Sequence, residues 1–430
     1  MRLARSSTVR SLLILLLFSF ITAGAEVLTL DQCIDTALKN NYGVIAARNT
    51  YDASRGQVFT AWGDILPTVS ISAGANRNWP AYFDVYNNRF RTDSYAGSLN
   101  FSQSYGGLGL YHYANINRRY HERGSAFYGL SSARSGLVLQ VKEGYYNLLK
   151  AKMLVDVAAD AVKRGEERLR VAQSRYDLGS ASMSDVLKAR VQFGNDKLDF
   201  LTQTNAFKTA QAYLAFVMGS DVNTEIEVEE SLSKKEANIS FDQALREALA
   251  QNPDYRKARF ELYTARDLRL ISYSNFLPNL SLNLTHRTNV SELGELTGFS
   301  ERDASYGAFA SLSFNIFNGF NDYAALRAAK KNVQTSGENL ENTQNSVALE
   351  VRQSFLDLQL AEEAIKLSDE SVGSAQEDLN LVREKYNLGA ATILEVLDAE
   401  VSLKQAQTIQ VQALFNYNLA VAKLEKAMGR

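Results

Sequence analysis

The residue types that carry most enzyme chemistry are scarce in this chain. It has three histidines and a single cysteine: His112, His121, His286 and Cys33. None has partners at metal-ligand spacing, and no nucleophile motif surrounds them. Gly106-Gly107 lies at a strand-to-helix switch, as Asn318-Gly319 does later, so backbone freedom explains it better than phosphate binding. We therefore predict no enzyme activity, no metal site and no cofactor.

The more informative candidates are two similar stretches 210 positions apart. They are RYDLGSASMSDVLKARV, residues 175–191, and KYNLGAATILEVLDAEV, residues 385–401. In each, Leu-Gly is a helix-ending signal. A hydroxyl residue then precedes an acid by three positions, Ser182 before Asp185 and Thr392 before Glu395, which restarts a helix. Each stretch is predicted to be a helical hairpin tip; turn chemistry alone is the plainer alternative to a binding role.

The two stretches differ in charge. The charged candidates are Asp185, Lys188 and Arg190 in the first, and Glu395, Asp398 and Glu400 in the second. We hypothesise that Lys188 or Arg190 pairs with Asp398 or Glu400 between adjacent hairpins and so forms a gate. Exposed pairs are worth only about 0–1 kcal/mol each, so solvated surface charge remains an equally good interpretation.

The segments around these stretches are also duplicated. LTLDQCIDTALKNN, which starts at Leu28, aligns with ISFDQALREALAQN, which starts at Ile239. Both halves end with Met-Gly. The sequence predicts two structural repeats, residues 26–219 and 239–430. The polar, acidic segment 220–238 between them is predicted to be a linker that crosses the surface.

Each repeat changes from helical to alternating periodicity at a proline, Pro67 or Pro278, which we predict to be helix-to-strand switches. The predicted strands are 68–78 and 95–104 in the first repeat, and 279–288 and 305–316 in the second. Strands of roughly ten residues have the length of tilted barrel strands in a bilayer. A small soluble antiparallel sheet is the alternative. The aromatic residues of segment 78–95 favour a membrane interface.

Four strands cannot close a barrel, and an open sheet edge is not tolerated in lipid. A membrane location therefore requires several chains, and three chains would supply twelve strands.

Long helical hairpins are predicted after the strands, at 110–218 and 320–428. Apolar residues recur every seven positions from Val141 to Tyr176, and again from Val351 to Tyr386. Small residues such as Gly144 and Gly165 follow three positions later, which lets neighbouring helices approach closely. About 64 residues of helix span roughly 95 Å. A coiled-coil rod would explain this seam but not the strands.

The N-terminus and the net charge limit the possible partners. Three arginines, the apolar segment 12–21 and Ala23-Gly24-Ala25 predict a secretory signal peptide at residues 1–25. The whole chain has 46 Lys and Arg against 48 Asp and Glu, so it suggests no basic face for nucleic acid.

Taken in order, these elements resemble the outer-membrane efflux protein family, the TolC-like channels, over residues 26–430. The resemblance rests on DQCIDTALKNN and DQALREALAQN, on the two Leu-Pro switches, and on the two tip motifs. It implies a mainly α fold with a small β part. Duplicated helical hairpins of three chains would form an α-barrel in the periplasm, and their twelve strands a transmembrane β-barrel in the outer membrane of a Gram-negative bacterium.

The resemblance also implies partners and a role. The homotrimer would be the passive exit duct of a tripartite efflux pump or a type I secretion system. A periplasmic adaptor protein would dock at the tips and connect the duct to an inner-membrane transporter. The adaptor-docking role is carried to Tyr176, Leu178, Gly179, Ser182, Tyr386, Leu388, Gly389 and Thr392, and the gate would narrow the periplasmic end. A periplasmic coiled-coil scaffold or adhesin without a pore is the alternative, and the exported substrate is left open.

Overall fold

The computed structural model of the protein describes residues 27–85, 88–229, 239–290 and 304–430. The predicted signal peptide and segment 230–238 of the predicted linker lie outside these residues. The first repeat contains β1 (Val27–Leu28), α1 (Leu30–Asn40), α2 (Tyr42–Gly63), β2 (Thr68–Asp84), β3 (Arg89–Tyr105), α3 (Leu110–Asp177) and α4 (Met183–Met218). The segment between the repeats contains β4 (Glu227–Val228). The second repeat contains α5 (Phe241–Gln251), α6 (Pro253–Ser274), β5 (Asn279–Val290), β6 (Ala304–Ser313), α7 (Asn321–Asn387) and α8 (Ile393–Met428).

The two helical hairpins, α3–α4 and α7–α8, dominate the molecule. Helix α3 has 68 residues and is therefore about 100 Å long. Its seam of small residues faces α4: a Cβ at Gly144 would lie 3.4 Å from Leu214, and one at Gly165 would lie 2.9 Å from the Asp196 carboxylate. The missing side chains let the helices pack closely at these positions. Within one chain α3 also packs against α8, so the two hairpins lie side by side.

Each hairpin carries a hydrophobic core at the end away from its tip. In the first repeat α1 packs on α3 and α4, with Cys33 and Leu148 fully buried. Burial raises the pKa of the Cys33 thiol to about 11, so this cysteine is a packing residue rather than a nucleophile. In the second repeat α5 places Ala244 and Ala248 against α7 and α8 in the same way.

The prediction that segment 220–238 simply crosses the surface is wrong for its first half. Strand β4 pairs in parallel with β1, and Ile226 and Val228 are buried in the core of the first repeat. Two apolar side chains in alternation are enough to anchor the segment there, although its composition is acidic.

The four long strands form one antiparallel sheet in the order β2-β3-β5-β6. Strands β2 and β3 have 17 residues each, so the predicted strands 68–78 and 95–104 are too short. Between Arg77 and Tyr82 the register shifts, and pairing then continues to Asp84 and Arg89. An irregularity of this kind accommodates Pro80, which cannot donate to a ladder, without ending the strand. Strand β6 ends at Ser313, three residues before the predicted 316.

No helix in the described part of the chain combines the length and the hydropathy needed to cross a membrane.

Candidate functional site

The sheet has one polar face and one apolar face, which the strict alternation of each strand produces. One row of paired residues across the four strands lies on the polar face. It consists of Thr68, Ser102, Asn283 and Phe309. Hydroxyl pairs link the strands on this face, with Thr68 and Ser102 at 2.7 Å and Ser72 and Ser98 at 2.8 Å. Before the bulge in β2 the other described positions of this face are Ser, Thr, Asn, Gly, Ala or Arg, and beyond the bulge Phe83 pairs with Phe90.

The opposite face is apolar and exposed. It carries Val69, Ile71, Leu99, Phe101, Leu282, Leu284, Tyr306 and Leu312. Of these, Ile71 is 80% exposed and Tyr306 is 78% exposed, so nothing in the described chain covers this face. Large apolar side chains in such a contiguous patch mark a lipid or protein contact. Arg77 and Asp93 form an ion pair of 2.6 Å at the level where the bulge in β2 begins.

The chain passes between sheet and helices through a strained connection. Gly107 has a φ of 55°, and its N–H donates to Oδ1 of Asn279 at 2.9 Å. The N–H of Leu108 donates to the carbonyl of Pro278, also at 2.9 Å. This connection therefore fixes the start of α3 to the start of β5. Pro67 and Pro278 each directly precede a strand, β2 and β5.

The two hairpin tips have almost the same geometry. Gly179 and Gly389 have φ angles of 76° and 77°, which end α3 and α7 in the left-handed conformation that glycine favours. Ser182 and Asp185 form a complete capping box at the start of α4, and Thr392 and Glu395 form one at the start of α8. These bonds hold the turns. The leucine directly before each glycine projects into solvent. Leu178 is 82% exposed and Leu388 is 84% exposed.

The hydrogen bonds of the second box alter the acidity of its glutamate. The Thr392 backbone and side chain both donate to the Glu395 carboxylate and lower its pKa. The box is therefore made by the ionised glutamate.

One contact joins the two tips within the chain. The guanidinium of Arg175, in the last turn of α3, lies over the Tyr386 ring with its Cζ 4.2 Å from the ring centroid. It also donates to the Tyr386 carbonyl at 3.0 Å. The last carbonyls of a helix lack intrahelical partners and attract cations. Arg175 therefore binds the end of α7 from the neighbouring hairpin.

A buried ionic cluster lies farther along the hairpins and connects four helices. Arg168 of α3 contacts both Asp196 of α4, at 3.5 Å, and Glu400 of α8. Arg383 of α7 binds the same glutamate at 2.7 Å. Lys404 of α8 lies 4.0 Å from Asp196. Arg168, Asp196 and Glu400 are each more than 90% buried, so their charges balance one another inside the protein.

Burial disfavours the charged guanidinium and lowers the pKa of Arg168, although Asp196 opposes the effect. An arginine remains charged at neutral pH after such a shift, because its ordinary pKa lies above 12. Arg168 therefore carries its positive charge at neutral pH.

The predicted gate pairing is not formed within one chain. Glu400 is bound by Arg168 and Arg383, while Lys188 and Arg190 are exposed and have no ion pair among the described residues. The reason lies in which side chains face Glu400: Arg168 of α3 and Arg383 of α7 do, whereas α4 meets α8 through Asp199 and Lys404, which are 2.6 Å apart. Asp185 and Glu395 are engaged in their own capping boxes, and Asp398 is exposed.

Sequence reasoning missed Arg168, Arg175, Asp196 and Arg383. A signal was present where the two halves fail to match in charge. The counterpart of Arg168 is Asp378, that of Asp196 is Ala406, and that of Glu400 is Arg190. Interactions that exist in only one half must be encoded at such positions.

The described residues contain no group of three or more His, Cys, Asp or Glu side chains placed to hold a metal ion. His121 is instead bonded to Asp267 at 2.6 Å, which links α3 to α6.

A sheet with an uncovered apolar face, continued into paired hairpins about 100 Å long, defines a class of protein: the subunit of an outer-membrane channel that reaches into the periplasm. The chain belongs to the outer membrane efflux protein family, whose model matches residues 33–220 and 244–430. The two matched segments correspond to the two structural repeats.

Individual relatives agree with this assignment. Outer membrane protein TolC of Vibrio cholerae is 22% identical over 93% of this chain and 90% of its own. The alkaline protease secretion protein AprF of Pseudomonas aeruginosa is 23% identical over 91% of this chain and 82% of its own. The crystal structure of the Campylobacter jejuni CmeC outer membrane channel superimposes with a TM-score of 0.83 at 18% identity, over 93% of this chain and 85% of that one. The protein is thus an outer-membrane protein with the fold of these channels.

Proposed function

We propose that three copies of this chain form a passive duct through which molecules leave the cell across the periplasm and the outer membrane. The observation that carries the proposal is the two-faced sheet: its apolar face suits lipid, and its hydroxyl-lined face suits a water-filled lumen. AprF is named for protease secretion, and other relatives, such as TtgC of Pseudomonas putida, are named as probable efflux pump outer membrane proteins. Both kinds of export system remain open for this chain.

The sheet edges support assembly from several copies. In the described chain β2 and β6 each pair on one side only, so each presents a row of unsatisfied backbone groups. In lipid those groups must be paired, and closure between copies satisfies them. Three chains give twelve strands, and strands about 4.8 Å apart at a tilt near 40° would enclose a backbone cylinder about 24 Å across.

One face of each outer hairpin helix is uncovered in the described chain. Helix α4 exposes an apolar stripe of Leu187, Val191, Leu198 and Leu201. Helix α7 exposes a similar stripe of Leu349, Leu356, Leu360 and Leu367. These spacings place each set on one face of its helix. In a closed ring α4 of one copy would pack against α7 of the next, which makes a continuous helical cylinder.

Crosslinking would test this assembly directly. Cysteines at Ser70 on β2 and Ser311 on β6 lie on opposite edges of one sheet, so a short bismaleimide can join them only between copies. Cys33 is fully buried and does not compete for the reagent. We expect bands up to a trimer in outer membranes. Monomers in the soluble periplasmic fraction, without pore conductance, would support the scaffold or adhesin alternative and contradict the proposal.

At the other end, the hairpin tips are proposed to dock a periplasmic adaptor. Leu178 and Leu388 project from turns that are already held by their own capping boxes, so partner contacts need not form the turn. Asp substitutions at both leucines should block export while trimers still assemble. The matched Met substitutions preserve apolar contact and should retain export. Normal export from the Asp variant would contradict tip docking.

The periplasmic gate is proposed to include the Arg175–Tyr386 contact rather than a Lys188 or Arg190 pair with Glu400. The contact joins the two tips of one chain on the narrow end of the duct, and it can break without exposing a buried charge. The buried cluster around Arg168 would instead be the fixed point about which the tips move.

A further inference from the structure

One large apolar side chain interrupts the polar face of the sheet. Phe309 on β6 lies opposite Asn283, in the same row as Ser102 and Thr68, and it is 67% exposed. Before the bulge in β2 it is the only large apolar residue described on that face, whereas Phe83 and Phe90 pair with each other beyond the bulge. An exposed phenyl ring among hydroxyl and amide groups is not explained by packing within the chain, nor by contact with lipid, which the opposite face makes.

A single charge also interrupts the described part of this face. Arg287 on β5 is exposed and lies opposite Ser305 on β6. Ser305 is four residues from Phe309 on the same strand, so the two levels are about 14 Å apart along the strand. Side chains lean along their strands, and both reach toward the space in front of the sheet.

We propose that Phe309 and Arg287 together form a contact zone in the lumen for exported molecules that combine an aromatic body with an anionic group. The inference rests on the proposed trimeric duct, because only there does the polar face enclose a lumen. Three copies would place three phenyl rings at one height and three guanidinium groups at another. A cylinder about 24 Å wide, narrowed by these side chains, brings a passing molecule of drug-like size against them.

The chemistry of each group defines the ligand class. A phenyl ring stacks with aromatic groups and contributes about 0.5–1.5 kcal/mol beyond area burial. A guanidinium binds carboxylate or sulfonate-like oxygens with charge-assisted hydrogen bonds. Weak contacts suit a duct, because binding must be favourable enough for entry and weak enough for release. Phe309 would therefore act on the aromatic part of a permeant and Arg287 on its anionic part.

The test uses the full-length protein in planar lipid bilayers, with current block by naphthalene-2-sulfonate and by methanesulfonate as the non-aromatic anion. Phe309→Ser should raise the half-blocking concentration of naphthalene-2-sulfonate about tenfold and leave that of methanesulfonate unchanged. Arg287→Ser should weaken block by both anions. Ser311→Ala, on the same strand and face, is the matched control and should change neither.

The outcomes separate this inference from the function on which it rests. Wild-type protein that forms no conducting pore would contradict the proposed duct. Conducting pores in which Phe309→Ser blocks like wild type, or in which it shifts both anions equally, would overturn the aromatic contact alone. If Phe309→Ser does not assemble, Phe309→Leu, which keeps apolar volume, decides: unchanged naphthalene-2-sulfonate block would show that Phe309 only packs, and weakened block supports the contact zone.

Discussion

Arg175 and Tyr386 hold the two hairpin tips of one chain together, through a ring contact of 4.2 Å and a hydrogen bond of 3.0 Å to the Tyr386 carbonyl. Arg175 and Tyr386 belong to the two copies of one motif, but only the first copy provides the cation and only the second provides the ring and the carbonyl. Lys385, which aligns with Arg175, makes no hydrogen bond to α3 among the described residues. A flexible ammonium group cannot stack on a ring and bind a carbonyl as a planar guanidinium does. The duplication therefore provides two similar tips, and one arginine couples them.

Removal of this contact should open the periplasmic end. We expect Arg175→Ala to raise the open probability in planar bilayers at least about two- to fivefold, since a cation–π contact is worth about 0.5–1 kcal/mol when exposed and more when partly buried, as this one is. Lys385→Ala removes the aligned charge without removing the contact, and it should behave like wild type. Equal effects of both variants would show that charge at the tips, rather than this contact, governs opening.

The buried cluster should matter for stability. Arg168→Met leaves Asp196 and Glu400 buried with reduced compensation, so we expect a loss of about 3–5 kcal/mol in the free energy of unfolding. Urea unfolding followed by helical circular dichroism would measure it. Arg170→Met, which breaks the exposed pair with Glu167, is the control and should shift the midpoint little. A double variant, Arg168→Met with Glu400→Met, should recover part of the loss if the two charges are coupled.

The connection at Gly107 should not tolerate a side chain. A Cβ there would lie 2.7 Å from the carbonyl oxygen of Ser274, and φ is already 55°. Backbone atoms cannot move aside easily, so Gly107→Ala should cost about 1–3 kcal/mol and lower the temperature at which the trimer dissociates in detergent. Gly56→Ala in α2, where nothing lies within 4 Å, should instead be neutral or slightly stabilising. A Gly107→Ala trimer as heat-resistant as wild type would refute the strain.

The second tip should loosen in acid. Hydrogen bonds from Thr392 lower the pKa of Glu395 below its unfolded value, so its contribution to the tip is complete above the unfolded pKa of about 4.3. That contribution is lost as the pH falls through the lower folded pKa. Hydrogen exchange of residues 387–396 would be measured in wild type and in Glu395→Gln. The ratio of their protection factors cancels the intrinsic pH dependence of exchange. The wild-type advantage should be present at pH 6 and shrink toward pH 3; a ratio that does not change would contradict the assignment.

Much of the architecture was determined by local sequence signals. The hairpins at Leu110–Met218 and Asn321–Met428, the turns at Gly179 and Gly389, and the strands after Pro67 and Pro278 depend on periodicity, glycine and proline, which act within a few residues. The repeat itself was visible because both halves use the same signals. Strand ends depended on pairing: the sequence predicted that the first strand ends at residue 78, but pairing with β3 carries β2 on to Asp84.

The tertiary structure alone decided which charges meet. The sequence placed Lys188, Arg190, Asp398 and Glu400 near the two tips. In the folded chain α3 packs against α8, and Glu400 is bound by Arg168 and Arg383 instead of by Lys188 or Arg190. Likewise, alternation in β6 showed that Phe309 shares a face with serines, while only the register placed it beside Asn283 and Ser102. Periodicity fixes the face on which a side chain lies, because it is a local property of the backbone. Its partners depend on the packing of distant segments, which no local signal contains.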